Sequence, residues 1–103
     1  MNKTIILDYL TSIKDKYAQE GLTIKALFGS YSRNEANANS DIDILVEATP
    51  KFANLYGFGA IARLRDIQDE ISKALGGISV DLADSSGMGK TAKKFILDRA
   101  IYV

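Results

Sequence analysis

The sequence predicts an α+β sandwich, a small mixed β-sheet backed by helices. Three observations carry that prediction. Short β-favouring apolar segments alternate with longer segments of helical periodicity. Glycines and a proline punctuate the junctions. The 103-residue length suits one compact domain, residues 1–103.

From Lys3 to Glu20 the apolar residues Ile6, Leu10, Ile13 and Tyr17 recur at helical spacing, and Gly21 ends the run. A first helix with one buried stripe is therefore expected. Leu22 to Phe28 is short, apolar and stopped by Gly29, which is the pattern of a strand. Residues 29–40 are small and polar and predict a loop with room for one helical turn. Asp41 to Val46 reads as the second strand. Pro50 interrupts the chain, and Gly57 and Gly59 disfavour helix within Phe52 to Phe58. A second helix is expected over Ala60 to Leu75, with Ile61, Leu64, Ile67, Ile71 and Ala74 on its apolar stripe. Gly76-Gly77 closes it, and Ile78 to Ala83 predicts a third strand. Lys90 to Asp98 forms the last expected helix, and Ala100 to Val103 a short terminal strand. Tyr9, Tyr17, Phe28 and Phe58 are assigned to the core. Arg63, Arg65, Asp66, Asp69 and Glu70 are assigned to a solvated helix face.

Composition narrows the chemistry. Thirteen basic residues balance thirteen acidic ones, which argues against binding nucleic acid through bulk charge. Cysteine and histidine are both absent, so disulfides, thiolate and imidazole metal sites, and His-dependent triads are excluded. Catalysis must use carboxylates, lysines, hydroxyls, backbone groups or an oxygen-bound metal. No apolar run approaches the roughly 20 residues that span a bilayer, and the start has no signal-peptide pattern. A cytoplasmic location, with no membrane partner, is the expectation.

The informative constellation is Phe28-Gly29-Ser30, ten residues, then Asp41-Ile42-Asp43. Alternation along a strand sends Asp41 and Asp43 to one face and Ile42, Ile44 and Val46 to the other. Two neighbouring carboxylates repel unless a cation neutralises them, and Mg²⁺ takes oxygen ligands from one or two carboxylates plus substrate phosphates. Gly29 lets backbone approach a phosphate, Ser30 offers a hydroxyl and an N–H, and Arg33 lies one turn further on. Asp81, between the apolar Val80 and Leu82, joins the acid pair if the third strand lies beside the second. It then holds a second ion and takes the proton of an attacking hydroxyl.

Gly29-Ser30-x-x-Arg33 through Ser40-Asp41-x-Asp43 resembles the signature of the polymerase-β-like nucleotidyltransferase superfamily, and the short chain resembles its minimal nucleotidyltransferase (MNT) branch. The likeness covers nearly the whole length. It implies that Asp41, Asp43 and Asp81 are the catalytic and metal-binding carboxylates, with two Mg²⁺ ions. It also implies that Gly29, Ser30, Arg33 and Ser40 bind the nucleotide, with ATP as substrate. Members of the branch commonly act as antitoxins to HEPN-type RNase toxins by attaching AMP to a tyrosine hydroxyl. The resemblance therefore implies such a toxin as partner, and no direct contact with nucleic acid. Asn34 stands where family members often have glycine.

Two other functional readings compete with this one. The chain is a binding module that covers a toxin sterically, or it transfers a nucleotide to a small molecule or an RNA end. A rival motif, Asp84-Ser85-Ser86-Gly87-Met88-Gly89-Lys90-Thr91, resembles a P-loop but puts aspartate where that loop needs glycine. It is read as a helix entrance, with the role of Lys90 open. Tyr31, beside the glycine-serine turn, is the aromatic singled out for contact with a base or a partner.

Overall fold

The computed structural model describes residues 1–97 and 99–103, with 92 and 95–97 described by backbone alone. The elements run α1 (Lys3–Ala18), β1 (Leu22–Phe28), β2 (Ile42–Ala48), α2 (Pro50–Tyr56), a short 3-10 turn (Gly57–Gly59), α3 (Ala60–Ala74), β3 (Val80–Asp84), a second 3-10 turn (Ser85–Gly87), α4 (Lys90–Leu97) and β4 (Ile101–Tyr102). The expected last helix reached Asp98, which lies outside the described residues. The four strands form one mixed sheet in the order β3-β2-β1-β4. β1 pairs antiparallel with β2 and β4, whereas β2 and β3 are parallel. A parallel pair needs a crossover, and α2 and α3 supply it.

Helix α1 starts at Asn2, whose side-chain oxygen accepts the Ile5 N–H at 2.9 Å. Its stripe of Ile6, Leu10, Ile13 and Tyr17 is buried as the periodicity predicts. These side chains pack on Leu22, Ile24 and Leu27 of β1, Ile42, Ile44 and Val46 of β2, Phe52 of α2, and Ile67, Ile71 and Leu75 at α3. The core thus lies between one sheet face and α1, α2 and α3. The edge of β3 is tied to α3, whose Gln68 Oε1 accepts the Leu82 N–H at 3.1 Å.

Four expectations need correction. Pro50 begins a helix here instead of breaking one, because it occupies the first turn, where no N–H is required. The stripe of α3 excludes Ile61, which is 67% exposed, and also Ala74, while Leu75 fills the last core position. The corner between α2 and α3 turns the helix start away from the sheet, so Phe58 is fully exposed too. Phe28 faces away from the helices for a different reason. Ile24 pairs with Val46 and Ala26 with Leu45, so Lys25 is an extra residue, a β-bulge. Beyond it Leu27, not Ala26 or Phe28, points into the helical core.

The charges on α3 divide into two groups. Arg65, Asp66 and Asp69 are exposed as expected. Arg63 instead forms a bidentate pair with Glu20, its Nε 2.6 Å from Oε1 and its Nη2 2.7 Å from Oε2. Its Nη1 lies 2.8 Å from Glu70 Oε2, and the Tyr17 hydroxyl donates to Glu70 Oε1 at 2.7 Å. Tyr56 donates to Glu20 as well, so this network joins the end of α1 to α2 and α3. The Arg63 hydrogen bonds hold the Glu20 carboxyl below its ordinary value, and those from Tyr17 and Arg63 do the same for Glu70. Depressed carboxylate values give stability that is full above the ordinary range and lost as pH falls through the lowered ones. Arg63→Ala is therefore expected to cost about 2 kcal/mol, between the values for surface and buried pairs. Arg65→Ala should stay within about 0.5 kcal/mol. Urea unfolding at neutral pH measures both, and the gap between them should shrink in acid.

Candidate functional site

The bulge in β1 that turns Leu27 into the core sends Phe28 to the other face, where it pairs with Asp43. Gly29 follows with φ +75°, a left-handed conformation that side chains disfavour. Space gives a second reason for glycine. A Cβ at residue 29 would lie 2.1 Å from Asp43 Oδ2 and 3.0 Å from its Cγ, so the turn rests directly against the Asp43 carboxylate. The chain then coils over the strand end. The Ser30 carbonyl accepts the Arg33 N–H at 3.2 Å and the Glu35 N–H at 2.9 Å. Ser32 Oγ donates to the Gly29 carbonyl at 2.7 Å. No hydrogen bond among the described residues uses the N–H or hydroxyl of Ser30, so both remain for a ligand. Asn34 adopts φ +57°, which explains glycine at this position in the resembling family: asparagine tolerates the left-handed region, and glycine prefers it.

Asp41 immediately precedes β2 and is exposed, while Asp43 is half-buried one step inside the strand. Ile42 between them is fully buried, so the two acids share the opposite face. The parallel ladder pairs Asp43 with Asp81 and Ile42 with Val80. Asp81 therefore stands on the neighbouring strand, on the same face as Asp43 and at the same level. Three acids thus gather where β2 and β3 begin, next to the Gly29–Ser30 turn. Burial raises the Asp43 carboxyl above its ordinary value, and the charges of Asp81 and Asp41 raise it further, against a lowering by Arg33. The remaining candidates are committed elsewhere as well. Arg33 Nε pairs with Glu35 Oε2 at 3.0 Å, and Ser40 Oγ accepts the Asn37 N–H at 2.9 Å.

The donor set suits a hard cation. All three acids offer oxygen, and their mutual repulsion is what a bound Mg²⁺ would relieve. Among the described residues no three such side chains form a ready-made cage. Asp84 has a structural task instead. Its Oδ1 accepts the Ala48 N–H at 3.1 Å and the Ser86 N–H at 3.0 Å, closing the turn that resembled a P-loop. Tyr31 belongs to the core cluster, and its small exposed remainder borders the loop 36–41.

Sequence reasoning overlooked a cleft of about 570 Å³ beside Asp41, lined by residues 36–41 and 76–79 together with Met1 and Tyr31. The paired asparagines and glycines of those two loops carried its only signal.

Comparison with known proteins gives a consistent result. Residues 10–103 match the family model of a nucleotidyltransferase domain. A Methanocaldococcus jannaschii protein assigned as a protein adenylyltransferase is 36% identical over 104 residues, covering 98% of this chain and 93% of its own. Protein adenylyltransferase MntA of Thermococcus cleftensis is 29% identical, covering 98% of this chain and 91% of its own. A solved minimal nucleotidyltransferase superposes with a TM-score of 0.75 at 25% identity, over 100% of this chain and 97% of that one. A toxin-antitoxin structure with AMP-PNP gives a TM-score of 0.65 at 26% identity, over 99% of this chain and 72% of that one.

Two outcomes follow from the geometry. Gly29→Ala should lower the unfolding free energy by about 2 kcal/mol or more, since it adds left-handed strain to a clash with Asp43. Urea denaturation reads this directly. Because the Asp43 value is raised on folding, its ionised form costs stability as pH climbs through the carboxylate range. Asp43→Asn without Mg²⁺ should therefore melt a few degrees above the wild type at neutral pH, about 1 kcal/mol being worth roughly 4–8 °C in a domain of this size. The difference should vanish in acid, where the wild-type group is also neutral. Calorimetric melts across pH provide the check.

Proposed function

This chain belongs to the nucleotidyltransferase domain family, and from that premise we propose that it transfers AMP from ATP to a protein hydroxyl as the antitoxin of a toxin–antitoxin pair. The observation that carries the reading is the register of Asp43 beside Asp81, next to a glycine turn that only a missing side chain permits. The names of its relatives support protein as the acceptor. The toxin-antitoxin neighbour supports a toxin as partner and an adenine nucleotide as donor. A tyrosine on a HEPN-type RNase is the acceptor we favour. Residues 1–103 act as one minimal nucleotidyltransferase domain.

Each residue then has a defined task. The Gly29 turn and the Ser30 N–H and hydroxyl seat the β- and γ-phosphates. Arg33 leaves Glu35 to pair with the same oxygens, and Ser40 supports the loop that delivers Asp41. Asp41 and Asp43 are the carboxylates that hold Mg²⁺, with Asp81 as the third ligand for a second ion. When bound, Mg²⁺ neutralises the phosphate charge and polarises the α-phosphoryl group. Asp81 takes the proton as the acceptor oxygen bonds to the α-phosphorus and the bond to the β-phosphate oxygen breaks, releasing pyrophosphate.

One observation favours a second reading, steric neutralisation without chemistry. Leu55, Phe58 and Ile61 are exposed together around the α2–α3 corner, as a protein contact would require. The two readings separate experimentally. Incubation of the chain and the product of its neighbouring gene with labelled ATP and Mg²⁺ should label that product. The Asp41→Asn/Asp43→Asn variant should lose about 10³-fold in rate, the worth of several kcal/mol of charge stabilisation, while its circular dichroism is unchanged. If the variant still protects cells from the toxin, neutralisation is steric. If the wild type labels nothing, the transfer reading fails.

A further inference from the structure

Arg99 has no part in the assignments above, yet the fold sets it beside the glycine turn. Tyr102 pairs with Ala26 and Ile101 with Leu27, and the Val103 N–H donates to the Lys25 carbonyl at 3.0 Å. The same antiparallel register, carried two residues beyond Ile101, sets Arg99 at the level of Gly29. A side chain ties the two positions together. The buried Ser32 hydroxyl donates to the Gly29 carbonyl at 2.7 Å, and its Oγ lies 3.4 Å from the Arg99 carbonyl. One hydroxyl thus stands between both backbone segments. On the other side of β1, Phe28 pairs with Asp43. The turn that offers the Ser30 N–H is therefore flanked by an acid on one side and an arginine on the other.

Charge decides what that arginine can do. Arg99 is exposed, and among the described residues no hydrogen bond or ion pair uses its guanidinium. Arg33, the cation within the turn, is bonded to Glu35 at 3.0 Å and must leave it to reach a ligand. Arg99 has no such contact to give up. A triphosphate tail at this turn brings negative charge close to Asp41, Asp43 and Asp81. An uncommitted guanidinium, with its fork of donors, is favoured beside it. The other task open to Arg99 is to neutralise the C-terminal end of α4, where positive charge is stabilising. Lys94 already supplies that in the last turn. We infer that Arg99 is a substrate-binding residue, its guanidinium pairing with the terminal phosphates of the nucleotide at the Gly29–Ser30 turn. The inference rests on the nucleotidyl-transfer reading above and adds to it a contact from the α4–β4 junction.

Calorimetric titration in Mg²⁺ with two probes, ATP and inorganic tripolyphosphate, compares Arg99→Gln with Arg65→Gln, a change at an exposed arginine of α3. Arg99→Gln should weaken both probes by about tenfold, the worth of a charge-assisted hydrogen bond. Arg65→Gln should leave both within about twofold, because solvent and salt screen a remote surface charge. Arg99→Lys keeps the charge without the fork. It should weaken both probes a few-fold, and it replaces the glutamine variant if that fails to fold. Unchanged affinity for both probes in Arg99→Gln overturns the inference, and a lowered melting temperature alongside would assign the arginine to the helix end. The transfer reading survives that result provided the wild type still labels its acceptor. Weakened ATP with intact tripolyphosphate overturns the inference too, by moving the contact to the nucleoside. Equal losses in Arg65→Gln also overturn it, by reducing the effect to bulk charge. A wild type that binds neither probe defeats the transfer reading itself, and this inference with it.

Discussion

The parallel ladder between β2 and β3 sets Asp43 and Asp81 at the same level of one sheet face, where burial and then the charge of Asp81 raise the cost of ionising Asp43. Nothing in the stability of the fold requires that arrangement. Ile42 and Val80, on the opposite face, would pack equally well with neutral residues beside them. The acids keep their places because the ladder offers no other position, and β1 presses the Gly29 turn against one of them. Repulsion stored in a rigid sheet is a basis for cation binding, since charge neutralisation is then favourable without any movement of the backbone.

Holding that ladder falls to the helices. A parallel pair cannot be closed by a tight turn, so β3 reaches β2 only through the excursion of α2 and α3. The excursion is anchored at three levels. Phe52, Ile67 and Ile71 bury apolar surface against the sheet. Arg63 ties the helices to the end of α1 through Glu20 and Glu70. Gln68 and Ser72 bond the backbone around β3 itself, the latter to the Ile78 carbonyl at 2.7 Å. Gly21 is needed at the same junction. A Cβ there would sit 2.4 Å from the Phe52 nitrogen, so the entrance to β1 and the start of α2 pack backbone to backbone.

Much of this was legible in the residues, and the parts that were not share a cause. The bounds of β1 and the buried stripe of α1 follow from local periodicity, and both agree with the structure. Phe28, Phe58 and Ile61 were misplaced because periodicity assumes an uninterrupted strand or helix. A bulge at Lys25 reversed the face for the first, and a corner at Gly57–Gly59 turned the other two outward. Arg63 resembled Arg65 in sequence. They differ only in which residues of distant elements stand opposite, and neither propensity nor spacing contains that.

The sequence by itself determined the kind of chemistry available. Without cysteine or histidine it limited metal donors to oxygen, and a glycine-serine turn ten residues ahead of an Asp-x-Asp strand marked where the candidate site lies. Alternation placed Asp41 and Asp43 on one face before any fold was known. Tertiary structure alone decided that Asp81 joins them, because strand order is a long-range choice made by core packing and not by the strand's own residues. It alone also opened a cleft between two loops remote in sequence, since a cavity belongs to neither wall until both are in place.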